Sequence, residues 1–437
     1  MLERNAYKYL LDWKCSAEQK KCLMVRGARQ VGKTFIIRRF GEKEYKNFIE
    51  INFLKNPGLK NIFSGDLDIN SLLLNFSVYM PEVRFIKGQT LLFLDEIQEC
   101  PEAITSLKFW AEDGNYDVVA SGSLLGIDYK RPSSYPVGYV DYLDMTALGF
   151  DEFLNAIGIK QEVFDLLKRC FNERISVPEP IHKRLMDILR TYIVVGGMPE
   201  VVQTYIDTGS MSAVYEVQRR ILNDYRYDIA HYAPADIKIK AENCYFSLPM
   251  QLGKTNHKFQ YAVIEKGTNA RKYGSSIDWI RQADLVIKIC NVDPLFAPLD
   301  HHADNTDFRL YTTDIGLLIG MMDYSLKAKI LNPAVESISS DTKGGIYEAL
   351  IADLLYKKGN RNLHFTRNKQ GTFEIEFVLE NADGIIPVEV KSGKSKSKSL
   401  DNLLKKDSVA YGYKLIDGNV GISGKKITLP LYMVMFI

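Results

Sequence analysis

Gly27-Ala-Arg-Gln-Val-Gly-Lys-Thr34 decides the fold of the first third of this 437-residue chain. It satisfies G-x-x-x-x-G-K-[ST] at every fixed position. It stands between an apolar run, Lys21-Cys-Leu-Met-Val25, and a predicted helix from Thr34 to Phe40. Glycines at these positions let backbone N–H groups turn inward around phosphates, and the following helix contributes the positive end of its dipole. Gly27, Ala28, Arg29, Gln30, Val31, Gly32, Lys33 and Thr34 are therefore expected to cradle a nucleotide. Lys33 would reach the β- and γ-phosphates, and the Thr34 hydroxyl would sit on Mg²⁺.

Moving outward, Phe48-Ile-Glu-Ile-Asn-Phe53, Thr90-Leu-Leu-Phe-Leu-Asp95 and Asp117-Val-Val-Ala-Ser121 each read as a buried strand of a parallel sheet. Helical stretches separate them, so the architecture is α/β. The strand Leu91-Leu-Phe-Leu-Asp-Glu96 ends in two carboxylates. Asp95 is expected to hold the magnesium shell and Glu96 to polarise an attacking water. Ser121 and Ser123, at the end of the next strand, compete for a role in orienting that water or sensing the γ-phosphate. Either also suits a plain turn, and the sequence does not choose between them. No NKxD base-reading motif accompanies the loop, so ATP with Mg²⁺ is expected rather than a guanine nucleotide.

Composition narrows the remaining classes. The chain is 46% hydrophobic and 25% charged, ordinary values for a globular protein, and its length calls for two to four domains. Lys plus Arg number 56 against 54 Asp plus Glu, so any contact with nucleic-acid backbones must come from local patches. The six cysteines contain no CxxC pair, which argues against zinc or a disulfide framework. The N-terminal MLERNAYKYLLDWK is charged throughout, and runs such as Gly316–Met322 are far too short to span a bilayer. A cytoplasmic protein with no membrane partner is expected.

Beyond the loop region, residues 1–148 read as the P-loop core and residues 149–235 as a helical lid or linker, broken at Val177-Pro-Glu-Pro180 and Gly196-Gly-Met-Pro199. Residues 236–300 end as helix, tight turn and strand (Asn269 to Ala283, then Leu285–Cys290), the closing pattern of a winged helix-turn-helix. Residues 301–437 read as an α/β domain. A helix is expected over Gly345–Tyr356, with strands at Leu363–Phe365, Phe373–Leu379, Ile386–Val390 and Lys426–Phe436. There Glu376 lies on one strand and Glu389 with Lys391 on the next, while Glu348 lies on the helix; Glu389 and Lys391 share one sheet face. Carboxylates converging with a lysine suit metal-assisted phosphodiester hydrolysis. On spacing alone, the same residues more often form a solvated sheet face with alternating charges. The run Lys391-Ser-Gly-Lys-Ser-Lys-Ser-Lys398 is by the same weighing a solvated loop before it is a DNA contact.

Taken together, Gly27–Thr34, Leu91–Gln98, Ser121-Gly-Ser123 and Gly196-Gly-Met-Pro199 resemble the prokaryotic AAA+-type, STAND-related archaeal-ATPase-like group. Ser247–Lys288 is similar to that group's winged-helix segment. Tyr311–Leu317 with Glu348, Glu376, Glu389 and Lys391 resembles its C-terminal PD-(D/E)XK nuclease-like domain, whose function is uncharacterised. The resemblance implies a nucleotide site at Lys33, Thr34, Asp95 and Glu96, and a candidate metal site at Glu348, Glu376, Glu389 and Lys391. Two positions depart from the group's pattern. Tyr139 stands in Pro136-Val-Gly-Tyr139 where arginine is common, with Arg131 a weak substitute, and Glu376 stands where aspartate is frequent. The expected function is a Mg-dependent ATPase whose nucleotide state controls a DNA-associated C-terminal region. The alternative is an ATP-gated signalling or scaffold protein whose C-terminal domains bind proteins, without nuclease activity. A homo-oligomer or a protein partner is compatible with either.

Overall fold

The computed structural model describes residues 2–16, 21–122, 136–252, 258–332, 338–368, 370, 372–392, 397–406 and 409–437. Two compact units emerge. One comprises Glu3–Thr146 together with Gln282–Asp284; the other comprises mainly Ala147–Arg281 and Leu285–Ile437.

The first unit runs α1 (Asn5–Cys15), β1 (Cys22–Arg26), α2 (Lys33–Glu44), β2 (Asn47–Asn52), α3 (Ile69–Tyr79), β3 (Thr90–Asp95), α4 (Pro101–Asp113), β4 (Asp117–Ser121) and β5 (Val140–Asp144). The strands pair in the order β2-β3-β4-β1-β5, all parallel. Strand β3 is buried at every position, which its unbroken apolar run requires of a strand covered on both faces. Helix α4 starts on Pro101, whose missing N–H costs nothing in the first turn, and stops at Gly114 in the left-handed conformation. Phe76, Phe85, Trp110 and Tyr116 stack edge-to-face and offset, closing the core on the α3 and α4 side. The register sets Asn52 beside Asp95 and Asp95 beside Ser121, so the polar ends of three strands form one row.

The second unit begins with helices α5 (Phe150–Ala156), α6 (Gln161–Glu173), α7 (Glu179–Val195), α8 (Pro199–Thr208) and α9 (Met211–Tyr232). Next come α10 (Lys238–Phe246), α11 (Leu248–Leu252), α12 (Tyr261–Ile264), α13 (Ala270–Gln282), β6 (Val286–Val292) and β7 (Ala303–Thr312). Then follow α14 (Ile315–Gly320), α15 (Tyr324–Leu331), α16 (Ser340–Lys357), β8 (His364–Arg367), β9 (Glu374–Asn381), β10 (Gly384–Val390), α17 (Lys398–Leu403), β11 (Gly412–Ile416), β12 (Gly421–Ser423) and β13 (Lys426–Pro430). One mixed sheet takes all eight strands in the order β12-β13-β11-β10-β9-β8-β6-β7.

Strand β6, expected to close a winged helix, pairs antiparallel with β7 and parallel with β8, so it enters the same sheet as the carboxylate-bearing β9 and β10. The strand expected over Lys426–Phe436 stops at Pro430, and Leu431–Phe436 forms a buried 3₁₀ turn. Proline has no N–H for a further ladder bond. The overall α/β reading holds. Among the described residues, no helix is long and apolar enough to cross a membrane.

Two motifs singled out in the sequence meet inside this second unit. Gly197 N–H donates to Asp314 Oδ2 at 2.7 Å, and Asp314 also caps α14 through Leu317 N–H. A Cβ on Gly197 would lie 2.0 Å from the Leu148 carbonyl oxygen, so only glycine fits. Lys357 on α16 completes the node, donating to Asp314 at 3.1 Å, Asp353 at 2.9 Å and the Tyr192 hydroxyl at 3.1 Å. Gly196-Gly-Met-Pro199 and Tyr311–Leu317 are thus parts of one buried ionic joint.

Candidate nucleotide site

The glycine-rich loop joins the C-terminal end of β1 to the first turn of α2, at the edge of the sheet where the polar row lies. Gly27 and Gly32 take φ of 146° and 95°, and Gln30, although not a glycine, takes 65°. Gly27 also passes the Met145 carbonyl so closely that a Cβ would sit 2.0 Å from its oxygen. Backbone held in these regions by its surroundings is a recurring mark of ligand loops.

Lys33 Nζ folds back onto the loop, donating to the carbonyls of Gly27 at 2.9 Å and Ala28 at 2.8 Å. Burial lowers its pKa to about 8. Glu96, Asp284 and Asp95 oppose that shift, and Arg29 adds to it. Thr34 Oγ1 lies 3.2 Å from both carboxylate oxygens of Asp95. Asp95 also accepts from Ser121 Oγ at 2.5 Å and Asn52 Nδ2 at 2.8 Å. The next residue, Glu96, has φ 55°, left-handed and costly for a glutamate, and Gln98 Nε2 holds its carboxylate at 2.6 Å. Lys33, Thr34, Asp95, Glu96 and Ser121 therefore come together. Ser123 and Arg131 lie outside the described residues. Tyr139 precedes β5 at the opposite end of the sheet, its carbonyl accepting from Cys22 N–H. A five-residue strand, about 15 Å, separates it from the loop edge.

Asn52 went unnoticed in the sequence. Its signal was available: it ends a strand whose alternation places a polar side chain beside the end of β3. Asp284 was also missed. It arrives from the turn between α13 and β6, and its Oδ2 accepts from Ala28 N–H at 3.3 Å. No local pattern announces a contact between residues so far apart in the chain.

In the C-terminal sheet, Lys391 Nζ bonds Glu376 at 2.8 Å and approaches Glu389 at 3.6 Å. Glu376 also accepts from Val390 N–H at 3.2 Å. Burial, together with the charges of Glu348 and Glu389, pushes Glu376 up to about 7 despite Lys391. Glu348 sits close by, but accepts from the Arg309 guanidinium at 3.2 Å and the Tyr311 hydroxyl at 3.1 Å. Arg309, a further residue missed in the sequence, is 1% exposed, also meets Glu374, and stacks over Phe365. Glu389 Oε2 is buried with no hydrogen-bond partner. Among the described residues, no group of three or more His, Cys, Asp or Glu side chains is placed to hold a metal ion by itself. Residues 393–396 of the lysine–serine run lie outside the described residues.

Residues 19–154 match an AAA domain. This stretch contains the whole loop, both carboxylates and all five parallel strands, so residues 19–154 form an AAA-type P-loop domain. Residues 186–328 match a domain of unknown function (DUF8612), and residues 343–433 match another (DUF4143). No curated protein matches the chain. Among solved structures, the chain is similar to the Walker-type ATPase PABY2304 of Pyrococcus abyssi, with 12% identity and a TM-score of 0.42, covering 74% of this chain and 96% of that one. It is also similar to AMPPCP-bound DnaA from Aquifex aeolicus, with 11% identity and a TM-score of 0.31, covering 64% and 87%. A third similar structure is C. elegans PCH-2, with 9% identity and a TM-score of 0.30, covering 49% and 69%.

Proposed function

We propose that this chain is a Mg²⁺-dependent ATPase whose nucleotide state controls its C-terminal α/β region. The observation that carries it is the meeting of Lys33, Thr34, Asp95 and Glu96 at one edge of the AAA sheet. A hydroxyl and a carboxylate side by side form the oxygen donor set that Mg²⁺ accepts when phosphates and water complete its shell, and Thr34 and Asp95 would hold it. When bound, the ion supplies charge neutralisation on the phosphate oxygens. Ser121 and Asn52 fix the Asp95 carboxylate. Lys33 exchanges two carbonyl partners for phosphate oxygens, recovering in charge-assisted bonds what it gives up. Glu96, aimed by its left-handed backbone and by Gln98, accepts a hydrogen bond from the water that attacks the γ-phosphorus.

For the C-terminal region, Glu376, Glu389 and Lys391 support a DNA-associated, nuclease-like reading, since Glu389 keeps one buried oxygen unbonded where a cation would be welcome. Arg309 on Glu348 supports the alternative, a protein-binding module without nuclease activity, because a guanidinium already neutralises the carboxylate a metal would need.

ATP hydrolysis with Mg²⁺ tests both levels. Turnover by the full chain, lost in Lys33→Ala and in Glu96→Gln, is the expected result; equal turnover in either variant refutes the site. Stimulation by duplex or single-stranded DNA supports the DNA-associated reading. Turnover indifferent to DNA, with no Mg²⁺- or Mn²⁺-dependent cleavage, supports the protein-binding alternative.

A further inference from the structure

Asp284 is far from the loop in sequence, yet Gln282–Asp284 belong to the same compact unit as the AAA core, while the residues on either side do not. The three residues form the turn between α13 and β6. Asp284 is 3% exposed and adopts φ 59°. Leu285 N–H donates back to Ile280 O at 3.0 Å, closing the end of α13. Asp284 Oδ2 accepts from Ala28 N–H of the phosphate loop at 3.3 Å. The same carboxylate stands near enough to Lys33 to favour its charge. A negative group thus already engages both kinds of element that a phosphate would use, a loop amide and the loop lysine.

We propose that Asp284 is a built-in anionic occupant beside the phosphate loop, which the phosphates of an arriving nucleotide must work against, and that the α13–β6 turn thereby reports nucleotide occupancy. The proposal rests on the ATP-binding reading above. Two anions brought together with little water between them repel far more strongly than they would in solution. Bound phosphate therefore disfavours the position Asp284 now holds.

The experiment uses the full chain, a fluorescent ATP analogue with Mg²⁺, and the variants Asp284→Asn, Asp284→Gly and Lys33→Ala. Asparagine and glycine both tolerate the left-handed conformation, so neither change strains the turn. Asparagine keeps a hydrogen-bond acceptor for Ala28 and removes the charge; glycine removes both. The expected result is about tenfold tighter binding in both, the size of one charge–charge interaction of ordinary strength in protein. Wild-type affinity in the asparagine variant, or weaker binding in the glycine variant, makes Asp284 a mere support of the loop and overturns the proposal. Deuterium uptake in the peptide spanning residues 280–288 supplies a second readout. It should respond to nucleotide in the wild type and lose that response in Asp284→Asn; an unchanged response overturns the reporting role. No binding by the wild type, with Lys33→Ala indistinguishable from it, refutes the ATP reading itself and the proposal with it.

Discussion

Replacing Lys357 with methionine should destabilise the C-terminal unit by about 3–5 kcal/mol at pH 8, the usual cost of removing one partner from a buried ion pair. The figure follows from what remains. Lys357, Asp314 and Asp353 are each 2% exposed or less, and one ammonium serves two carboxylates. Methionine fills the space of the lysine stem but leaves both acids buried without a counter-ion, so each must either hold its charge without water or take up a proton. For a unit of this size the loss amounts to a fall in Tm of roughly 10 °C. The pH dependence sharpens the test. Burial, with Asp314 adding to it and Lys357 opposing it, raises Asp353 from 3.8 to about 7. The folded state therefore holds this proton more tightly than the unfolded chain. Its contribution to stability is largest below about pH 4 and declines as pH rises toward 7. Asp353→Asn mimics the protonated acid, so it should melt above the wild type at pH 8 and close to it at pH 4.5. Calorimetric melting of the full-length variants at the two pH values reads both effects. A Lys357→Met loss under 1 kcal/mol at pH 8, or an Asp353→Asn variant less stable than wild type there, would refute the reasoning.

Ser121→Ala or Asn52→Ala removes one of the donors that hold Asp95, and each should raise the Mg²⁺ needed for half-maximal ATP turnover by about tenfold, as loss of a supporting partner usually does; magnesium titrations check this. Gly197→Ala places a methyl against the Leu148 carbonyl and should cost about 3 kcal/mol or prevent folding, measured by thermal melting. Because burial lowers the Lys33 pKa to about 8, ATP affinity should weaken by up to tenfold per pH unit between about 8 and 10, while a Lys33→Arg variant stays flat over that range; fluorescent-nucleotide titrations at pH 7.5 and 9.5 distinguish the two.

The parts of the candidate nucleotide site that were legible in the sequence are those written in adjacent residues. The loop, the Asp95–Glu96 strand end and the parallel strands each carry a short-range pattern with a physical reason for it. Asn52 required knowing which strand lies beside β3, and register is set by the whole sheet. Asp284 and Arg309 required long-range placement that no period in the sequence encodes. The break of the last strand at Pro430 was visible as a residue but was overridden by the strong apolar character of Leu431–Met435, which is satisfied equally well by a buried 3₁₀ turn. Strand β6 was foreseen, but its membership in the C-terminal sheet was not, because helix, turn and strand look alike whichever neighbour the strand finally pairs with.

Lys33, half-buried, and Lys357, fully buried, resolve the conflict between burial and charge in opposite ways. Burial works against the charge of both. Lys357 touches two carboxylates and a phenol and ends well above its usual pKa, a cation fully committed to the fold. Lys33 touches two neutral carbonyls, with carboxylates near it but not on it, and ends below its usual value. A structural lysine gains nothing from that arrangement, since neutral carbonyls return little of the desolvation cost. A lysine that must accept a polyanion gains a great deal, because its strongest partner is still to come. If Lys33 were structural, Lys33→Met would lower the melting temperature of the nucleotide-free AAA core. The expected outcome is the reverse: unchanged or slightly higher stability without nucleotide, and loss of the stabilisation that ATP with Mg²⁺ gives the wild type.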